Sequence, residues 1–558
     1  MKTINFTKCL CVLLFTLVTS QTVKASIEMD WVYINGLCYE IAYDREHPDN
    51  SAATIIGRDW REPYWDNETG TYVYPESAIR YEEWNTDSIL VLPAYVNGVP
   101  LRCINSGFCG ESDIKNVIIP ATVTAINGHA FAHSSLETIS FGDDDFLPDE
   151  ILPISFEGDF YDDYFRNGTF EGCERLTEVV FHRPVKQIVP LMFKDCSKLE
   201  SVGFYSDWLD TDDLMPFDTI GEFAFINCDG LTHFDIPNSV KEIGDGAFFN
   251  CSSLQHITLP DSIKVIGNGT FAKCTSLENI HLPEGITSIG DYGFAECNML
   301  ENINLQPSLQ HIGKGAFLNC WAFTRISFPD AITAIDEYTF CDCHNLTEVN
   351  FNNINTFGKS SFSGCNKLTS INLDKAQNIG NSAFTGGNWR YHVYGETYFY
   401  TAGEGTWDNG YLGSLKNITL GKDVSFISWC AFAGHDIDTI TCMAPIPPAF
   451  YKNNWPSFNT YTYNTAILRV PHVVVDTYRN AEGWKDFYNI EGMAIMGNGD
   501  VNGDGQTSIS DVTALIDVLL SNGNSGSFNP INADVNGDGR HSISDVSSLI
   551  DMLLNANN

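Results

Sequence analysis

Basic residues are scarce in this 558-residue chain: 31 Lys and Arg face 71 Asp and Glu, a net charge of −40. Such a surface repels phosphate backbones and anionic headgroups. That excludes nucleic acid and acidic membrane as partners and favours calcium, cationic targets or neutral glycans. Long apolar runs are lacking too. Beyond the first 25 residues, no stretch approaches the roughly 20 apolar residues that span a bilayer. No CxxC pair occurs, so the 17 cysteines do not suit tetrahedral zinc. Neither a G-x-S-x-G elbow nor an H-E-x-x-H pair is present. Internal repeats fill most of the chain and leave no separate stretch long enough for a catalytic domain. The chain therefore reads as a binder rather than an enzyme.

Residues 1–25 read as a secretory signal, with Lys2 and Lys8, an apolar stretch at 10–18, and Val23-Lys24-Ala25 before Ser26. No cysteine follows the apolar core where a lipoprotein signal needs one. Loss of Lys2, Lys8 and Lys24 brings the mature chain to −43. The expectation is a bacterial protein exported by its signal peptide and secreted or held at the cell surface.

A 23-residue unit dominates the mature chain, clearest at 254–267, 277–290 and 300–313. It runs Leu-x-x-Ile-x-Leu, a turn, Ile/Leu-x-x-Ile-Gly, a Phe four residues later and usually a Cys three beyond that. The Phe column comprises Phe108, Phe131, Phe170, Phe193, Phe225, Phe248, Phe271, Phe294, Phe317, Phe340, Phe362, Phe384 and Phe432. Five residues before each stands an apolar residue or Cys: Cys103, Ile126, Phe165, Ile188, Ile220, Ile243, Ile266, Ile289, Ile312, Ile335, Phe357, Ile379 and Ile427. Repeats of this length form solenoids, because each unit buries its apolar face only against a neighbour. In Leu277-Glu-Asn-Ile280-His-Leu282, alternation turns Leu277, Ile280 and Leu282 inward and Asn279 and His281 outward. Ile286 to Gly290 forms a second extended segment. Gly290 reads as a residue permitting a sharp bend.

Nine cysteines share one repeat position: Cys173, Cys196, Cys228, Cys251, Cys274, Cys297, Cys320, Cys343 and Cys365. Neighbours on in-register strands keep their Cβ atoms about 5 Å apart, beyond the usual disulfide span. This column should hold free thiols acting as small hydrophobes. Cys38, Cys109, Cys341, Cys430 and Cys442 remain as disulfide candidates.

Three insertions interrupt the period, near 143–163, 206–214 and 386–411. The first two are acidic. Both are expected after the first strand of their repeats, leaving the array along one edge. They read either as solvated loops or as a calcium or ligand site. The third is aromatic and leaves elsewhere. Its Trp389, Tyr391, Tyr394, Tyr398 and Trp407 form a candidate ligand platform or a local seal. Residues 26–97 and 443–493 read as the caps that solenoids need, with the array at 98–442 between them. The Cys column and the Ala/Gly-Phe step resemble BspA-like leucine-rich repeats of bacterial surface proteins, over about 80–493. That resemblance implies a leucine-rich-repeat solenoid, mostly β, of about 13 units, and adhesion to host proteins or other bacteria.

Two near-copies close the chain at 494–558. In the first, Asp500, Asn502 and Asp504 stand at positions 1, 3 and 5, Gly505 at 6, Gln506 at 7, Ser508 at 9 and Asp511 at 12. In the second these are Asp534, Asn536, Asp538, Gly539, Arg540, Ser542 and Asp545. Calcium is a hard cation taking six to eight oxygens, and this is the spacing of a calcium loop, with a backbone carbonyl serving at position 7. Two Ca2+ ions are expected. Each loop precedes an amphipathic helix carrying Val512, Leu515, Ile516, Leu519 and Leu520, or Val546, Leu549, Ile550, Leu553 and Leu554. The duplicated units resemble a type I dockerin, a small α-helical calcium-binding module. The resemblance implies calcium-dependent docking onto a cohesin-like partner, chosen by loop positions 10 and 11. Here these are Ile509-Ser510 and Ile543-Ser544, identical in both copies. The tail could equally tether the chain to an envelope component.

Together these readings give an exported bacterial binding protein. Its solenoid takes a host or bacterial surface protein or a glycan, and its tail docks through calcium. The alternative is a non-catalytic, dockerin-borne component of an extracellular polysaccharide-degrading assembly.

Overall fold

The computed structural model describes residues from 27 to 555, leaving out 35–36, 45–50, 110–113, 142–153, 158–167, 182–184, 186, 205–217, 452–455 and 522–527, and all but two short strands in each of 59–88 and 387–411. The described chain forms two compact units, 1–263 with 270–275, and 264–269 with 276–558.

In the first unit three strands, β1 (Ile27–Ile34), β2 (Leu37–Asp44) and β3 (Ala52–Arg58), pair antiparallel in order. β3 then lies parallel to Val99–Ile104, which pairs with Ala125–Asn127, and that with Ser155–Glu157. The cap thus continues one parallel column of the solenoid. The other column runs Ile89–Val91, Asn116–Ile119, Thr138–Phe141, Glu178–Phe181 and Ser201–Phe204, in register. Ile89–Val91, near the end of the expected cap, thus already pairs with this column. Phe156, paired with Ile126, occupies the inner position expected of Phe165, which lies outside the described residues. The first acidic insertion is consequently split: 142–153 follows the first strand of its turn, and 158–167 follows the second.

The second unit repeats the plan. Its longest columns are Ser370–Leu373, Asn417–Leu420, Thr439–Cys442, Ile467–Pro471 and Asn489–Met493, and Ala334–Ile335, Thr356–Phe357, Asn378–Ile379, Phe426–Ile427 and Ala449–Phe450. Helix α1 (Thr460–Thr465), a 3-10 turn (His472–Val474) and helix α2 (Val475–Asn480) interleave with the last strands. The C-terminal cap is therefore strand, helix, strand, continuing the solenoid's own ladder.

Two periodicities set the core. Leu277, Ile280 and Leu282 are buried, while Asn279 and His281 are exposed. Every member of the Phe column is at most 3% exposed. The rings stack, as in Phe225 on Phe248 at 5.1 Å and Phe362 on Phe384 at 5.4 Å. Burying each contributes about 2–3 kcal/mol. Phe458, stacked on Phe432 at 5.3 Å, extends the column by one further turn inside the cap.

Around most of the column's Phe residues the backbone visits the left-handed region twice, as at Phe223 (φ 54°) and Asn227 (φ 61°). For L-residues this costs roughly 1–2 kcal/mol apiece. It aims three alternate N–H groups along the stack: Phe223, Phe225 and Asn227 donate to the carbonyls of Asp245, Ala247 and Phe249 at 2.8–3.0 Å. Gly290 serves differently from the bend expected. A Cβ there would lie 2.8 Å from the backbone nitrogen of Asn268, so the glycine admits the preceding turn.

The cysteines of the column are buried and form no disulfide, and Cys109, Cys341, Cys430 and Cys442 are likewise buried thiols, not disulfide partners. Among the disulfide candidates, Cys38 has its side chain outside the described residues. The ladder thiols also donate: Cys228, Cys251 and Cys343 point their S–H groups at the carbonyls of Phe193, Phe225 and Phe317, at 3.1–3.2 Å. Small size and a weak donor together suit Cys here better than Ala. Burial pushes the Cys274 thiol up to about 12. Native protein at pH 8 is therefore expected to react with iodoacetamide at its ladder thiols roughly a thousandfold more slowly than unfolded protein. Mass mapping of the labelled sites checks this, and rapid native labelling would contradict the stack.

Asp342 is a buried acid at a ladder position where side chains elsewhere pair. At the same turn position Asn250 Nδ2 donates to Asn227 Oδ1 at 2.9 Å. Asp342 is 5% exposed, and its Oδ1 has no hydrogen-bond partner. Burial pushes its carboxyl up to about 7. An acid whose folded pKa exceeds its unfolded one loses stability as pH rises from about 4 to 7, because the native state binds the extra proton. Asp342→Asn is expected to stabilise the protein by about 2 kcal/mol at pH 8 and to change little near pH 4. Denaturant unfolding at the two pH values measures the difference.

Candidate calcium loops and docking face

The tail is built on a very small core. Val501, Leu515, Ala533, Val535 and Leu549 are buried, with Val512, Leu519, Phe528 and Val546 packed beside them. Helix α3 (Ile509–Leu520) is started by Ser508, whose hydroxyl accepts from the backbone while the Asp511 carboxylate accepts from Ser508 N–H at 2.9 Å. Helix α4 (Pro530–Ala533) precedes the second loop, and helix α5 (Ile543–Asn555) follows it. The position-12 acids therefore do two things: each caps its helix and points back into its loop. Both Asp511 and Asp545 are fully buried.

Each loop gathers three acids. Carboxylate oxygens of Asp500, Asp504 and Asp511 lie within 4.8 Å of one another, as do those of Asp534, Asp538 and Asp545. Backbone N–H groups wrap the first carboxylate of each loop: Gly505 donates to Asp500 Oδ2 at 3.2 Å, and Gly539 to Asp534 Oδ2 at 2.9 Å. Asn502 and Asn536 accept from the N–H of Asp504 and Asp538 at 2.9 Å. Asp534 Oδ1 is buried with no hydrogen-bond partner. Burial, then the neighbouring Asp545 and Asp538, raises the Asp534 carboxyl's affinity for a proton. Converging carboxylates and an orphaned buried oxygen fit a hard divalent cation. The carboxylates brought together are those of Asp500, Asp504 and Asp511, and in the copy Asp534, Asp538 and Asp545; the other expected ligands, Asn502, Gln506 and Ser508 with Asn536, Arg540 and Ser542, lie on the same two loops.

The residues at positions 10 and 11 sit on the rim of these loops. Ile509 and Ile543 are each 78% exposed. Asn502 Nδ2 donates to Ser510 Oγ at 3.0 Å, and Asn536 Nδ2 to Ser544 Oγ at 2.7 Å. The loop asparagines thus orient the rim serines. The apolar stripe read from the sequence divides in two. Leu515 and Leu549 enter the core, whereas Ile516, Leu520, Ile550 and Leu554 remain exposed. With Ile509 and Ile543 these lie at i, i+7 and i+11, one face of each helix. Periodicity alone merges them with the core residues. Their spacing from the rim isoleucines is the signal that separates the two faces.

The aromatic insertion is anchored at its base. Gly386 N–H donates to Ala433 O at 2.8 Å, and Gly413 N–H to Gly434 O at 2.9 Å. Buried His435 lies within 2.8 Å of the Phe384 carbonyl through Nε2, and its Nδ1 accepts from Leu415 N–H at 3.3 Å. Burial lowers its affinity for a proton. Above this base Trp389 lies opposite Trp407 in a two-residue antiparallel ladder. Tyr391, Tyr394 and Tyr398 lie outside the described residues. No described helix is long and apolar enough to cross a membrane.

The fold and the tail together define a repeat solenoid carrying a docking module, and comparison with known proteins agrees. The description of the BspA type leucine rich repeat region matches in six copies, over 102–149, 163–275, 214–304 and 264–390. That of the dockerin type I domain matches 498–554. The chain is a BspA-type leucine-rich-repeat protein with a C-terminal type I dockerin domain. Neither kind of domain is catalytic, and both are typical of extracellular or cell-surface bacterial proteins. Type I dockerins bind calcium and imply a cohesin-type protein partner. No curated protein matches the chain. Among solved structures, a leucine-rich repeat protein from Bacteroides ovatus is 21% identical, covering 76% of this chain and 94% of its own, with a TM-score of 0.40. The T. pallidum leucine rich repeat protein is 30% identical over 34% of this chain and 82% of its own, with a TM-score of 0.28. The pneumococcal vaccine antigen PcpA is 16% identical over 84% of this chain and 99% of its own, with a TM-score of 0.42.

Proposed function

We propose that this protein is an exported bacterial binding protein whose solenoid recognises a surface protein or a glycan, and whose tail docks it to a partner through two calcium ions. Residues 1–25 act as the export signal, 26–97 and 443–493 as the caps, and 494–558 as the docking domain. The observation that carries the reading is the tail's duplicated geometry: two acid clusters, each tied through an asparagine to a rim serine beside an exposed apolar stripe. Calcium supplies the charge that lets those acids converge, and so shapes the rim formed by Ile509, Ser510, Ile543 and Ser544. The anchored insertion bearing Trp389 and Trp407 is the best-placed ligand platform on the solenoid. A second reading makes the chain a non-catalytic component of an extracellular polysaccharide-degrading assembly, favoured by the partner class a dockerin implies.

Affinity capture separates these readings, with the full chain as bait against secreted and envelope fractions, in calcium or in chelator. A calcium-dependent partner bearing a cohesin-type domain among degradative enzymes supports the assembly. An envelope or host protein supports the binder. Equal capture with and without calcium would rule out calcium docking.

A further inference from the structure

The two loops are copies in sequence but not in surroundings. A Cβ added at Gly503 or Gly505 would meet nothing within 4 Å. At the equivalent Gly537 and Gly539 it would lie 3.2 Å from Met496 Cγ and 2.0 Å from His472 Nδ1. The His472 ring opens the 3-10 turn of the cap, and its Cδ2 would stand 2.7 Å from a Cβ at Gly492. The imidazole is thus packed between the last solenoid strand and the second loop, each side kept open by a glycine. Helix α4 packs against the same 3-10 turn. Gly497 and Gly499, just beyond Asn489–Met493, donate to the carbonyls of Asp534 and Asn532 at 2.7 and 3.1 Å. Asp534 is 2% exposed, whereas its counterpart Asp500 is only partly buried.

We infer that the second loop is an intramolecular docking surface, seated on the cap through Gly537, Gly539, Met496 and His472, and that the first loop, held within the tail by Asn529 and Asn532, has no such seat. The inference rests on the calcium reading of the tail. Its physical basis is the shape of the 534–539 arm. Gly537 and Gly539, at φ +70° and +81°, lay that arm flat against the ring and the Met496 chain. The arm keeps this shape when Asp534, Asp538 and Asp545 share a cation, and opens by mutual repulsion when they do not. Neither exposed stripe is consumed by the seat, since Ile509 and Ile543 are equally exposed. A partner held on the tail therefore stands in a fixed direction from the end of the solenoid while the second loop is filled. The first loop exchanges its ion without altering that direction.

Hydrogen exchange on the full-length protein in saturating calcium tests this, with calorimetry counting the ions. His472→Ala is expected to speed exchange across 534–545 roughly tenfold while leaving 500–511 unchanged, with two ions still bound and one of them more weakly. Met496→Ala, at a residue 74% exposed, is expected to give the same asymmetry without disturbing the cap, so it decides the matter if His472→Ala unfolds 467–471. Equal responses of the two loops, or none, with two ions bound, would overturn the seat alone. A wild-type chain that binds no calcium would overturn the calcium reading and the seat together.

Discussion

Ile289→Asp is expected to unfold the repeats around residue 289 while leaving the chain soluble. Ile289 is fully buried, paired in register with Ile266 on one side and Ile312 on the other. The substitution removes a large apolar side chain and buries a carboxylate between Ile266 and Ile312, a combination costing more than about 4 kcal/mol. In a solenoid each turn is held only by its neighbours, so the defect is not diluted over a globular core. Ser288, next along the strand and turned partly outward, supplies the control: Ser288→Asp should shift stability by about 0.5 kcal/mol or less. Denaturant unfolding, with labelling of Cys297 and Cys320 as a local reporter, measures both. An Ile289→Asp protein as stable as its parent, with those thiols still protected, would mean that the inner column has been misplaced.

Asp504→Ala combined with Asp538→Ala is expected to abolish the calcium-dependent ordering of the tail and to weaken calcium binding by roughly two orders of magnitude or more. Each acid belongs to a cluster whose carboxylate oxygens lie within 4.8 Å of one another. Each also accepts the N–H of residue 506 or 540, at 2.9 Å. Among the described residues the tail buries only six apolar side chains, Val501, Leu515, Val518, Ala533, Val535 and Leu549, too few for about 60 residues to fold strongly alone, so folding is expected to be coupled to metal binding. Calorimetric titration with hydrogen exchange over 509–520 and 543–555 reads the effect. Unchanged affinity would remove these acids from the ligand set.

The solenoid is legible in the sequence because its period is redundant. Thirteen phenylalanines in phase leave little freedom of register, and the structure buries all of them. Legibility fails where the period does. Phe165 stands five residues before Phe170 and so takes the place of Phe156 in the sequence pattern, because spacing counted backwards cannot see an insertion that falls between a strand and its Phe. Phe458 escapes the pattern because the cap lengthens its turn while preserving the ring stack. The cysteines are legible as small buried groups but not as donors, since the acceptor belongs to a different turn. In the tail the ligand spacing is plain, but helical periodicity alone cannot divide Leu515 from Ile516 and Leu520.

Sequence by itself determined the repeat, its inward columns, the duplicated acid loops and the rim residues beside them. All of these are local: they depend on spacing within one turn or one loop, where backbone geometry converts sequence directly into direction. Tertiary structure alone decided what each turn does for its neighbour. It made Gly290 a point of close approach and gave the thiols their carbonyls. It left the buried Asp342 Oδ1 without a hydrogen-bond partner, and it set His472 against one calcium-type loop and not the other. Two near-identical loops carry no sequence record of which one meets the cap, because that difference lies in the path of the chain around them.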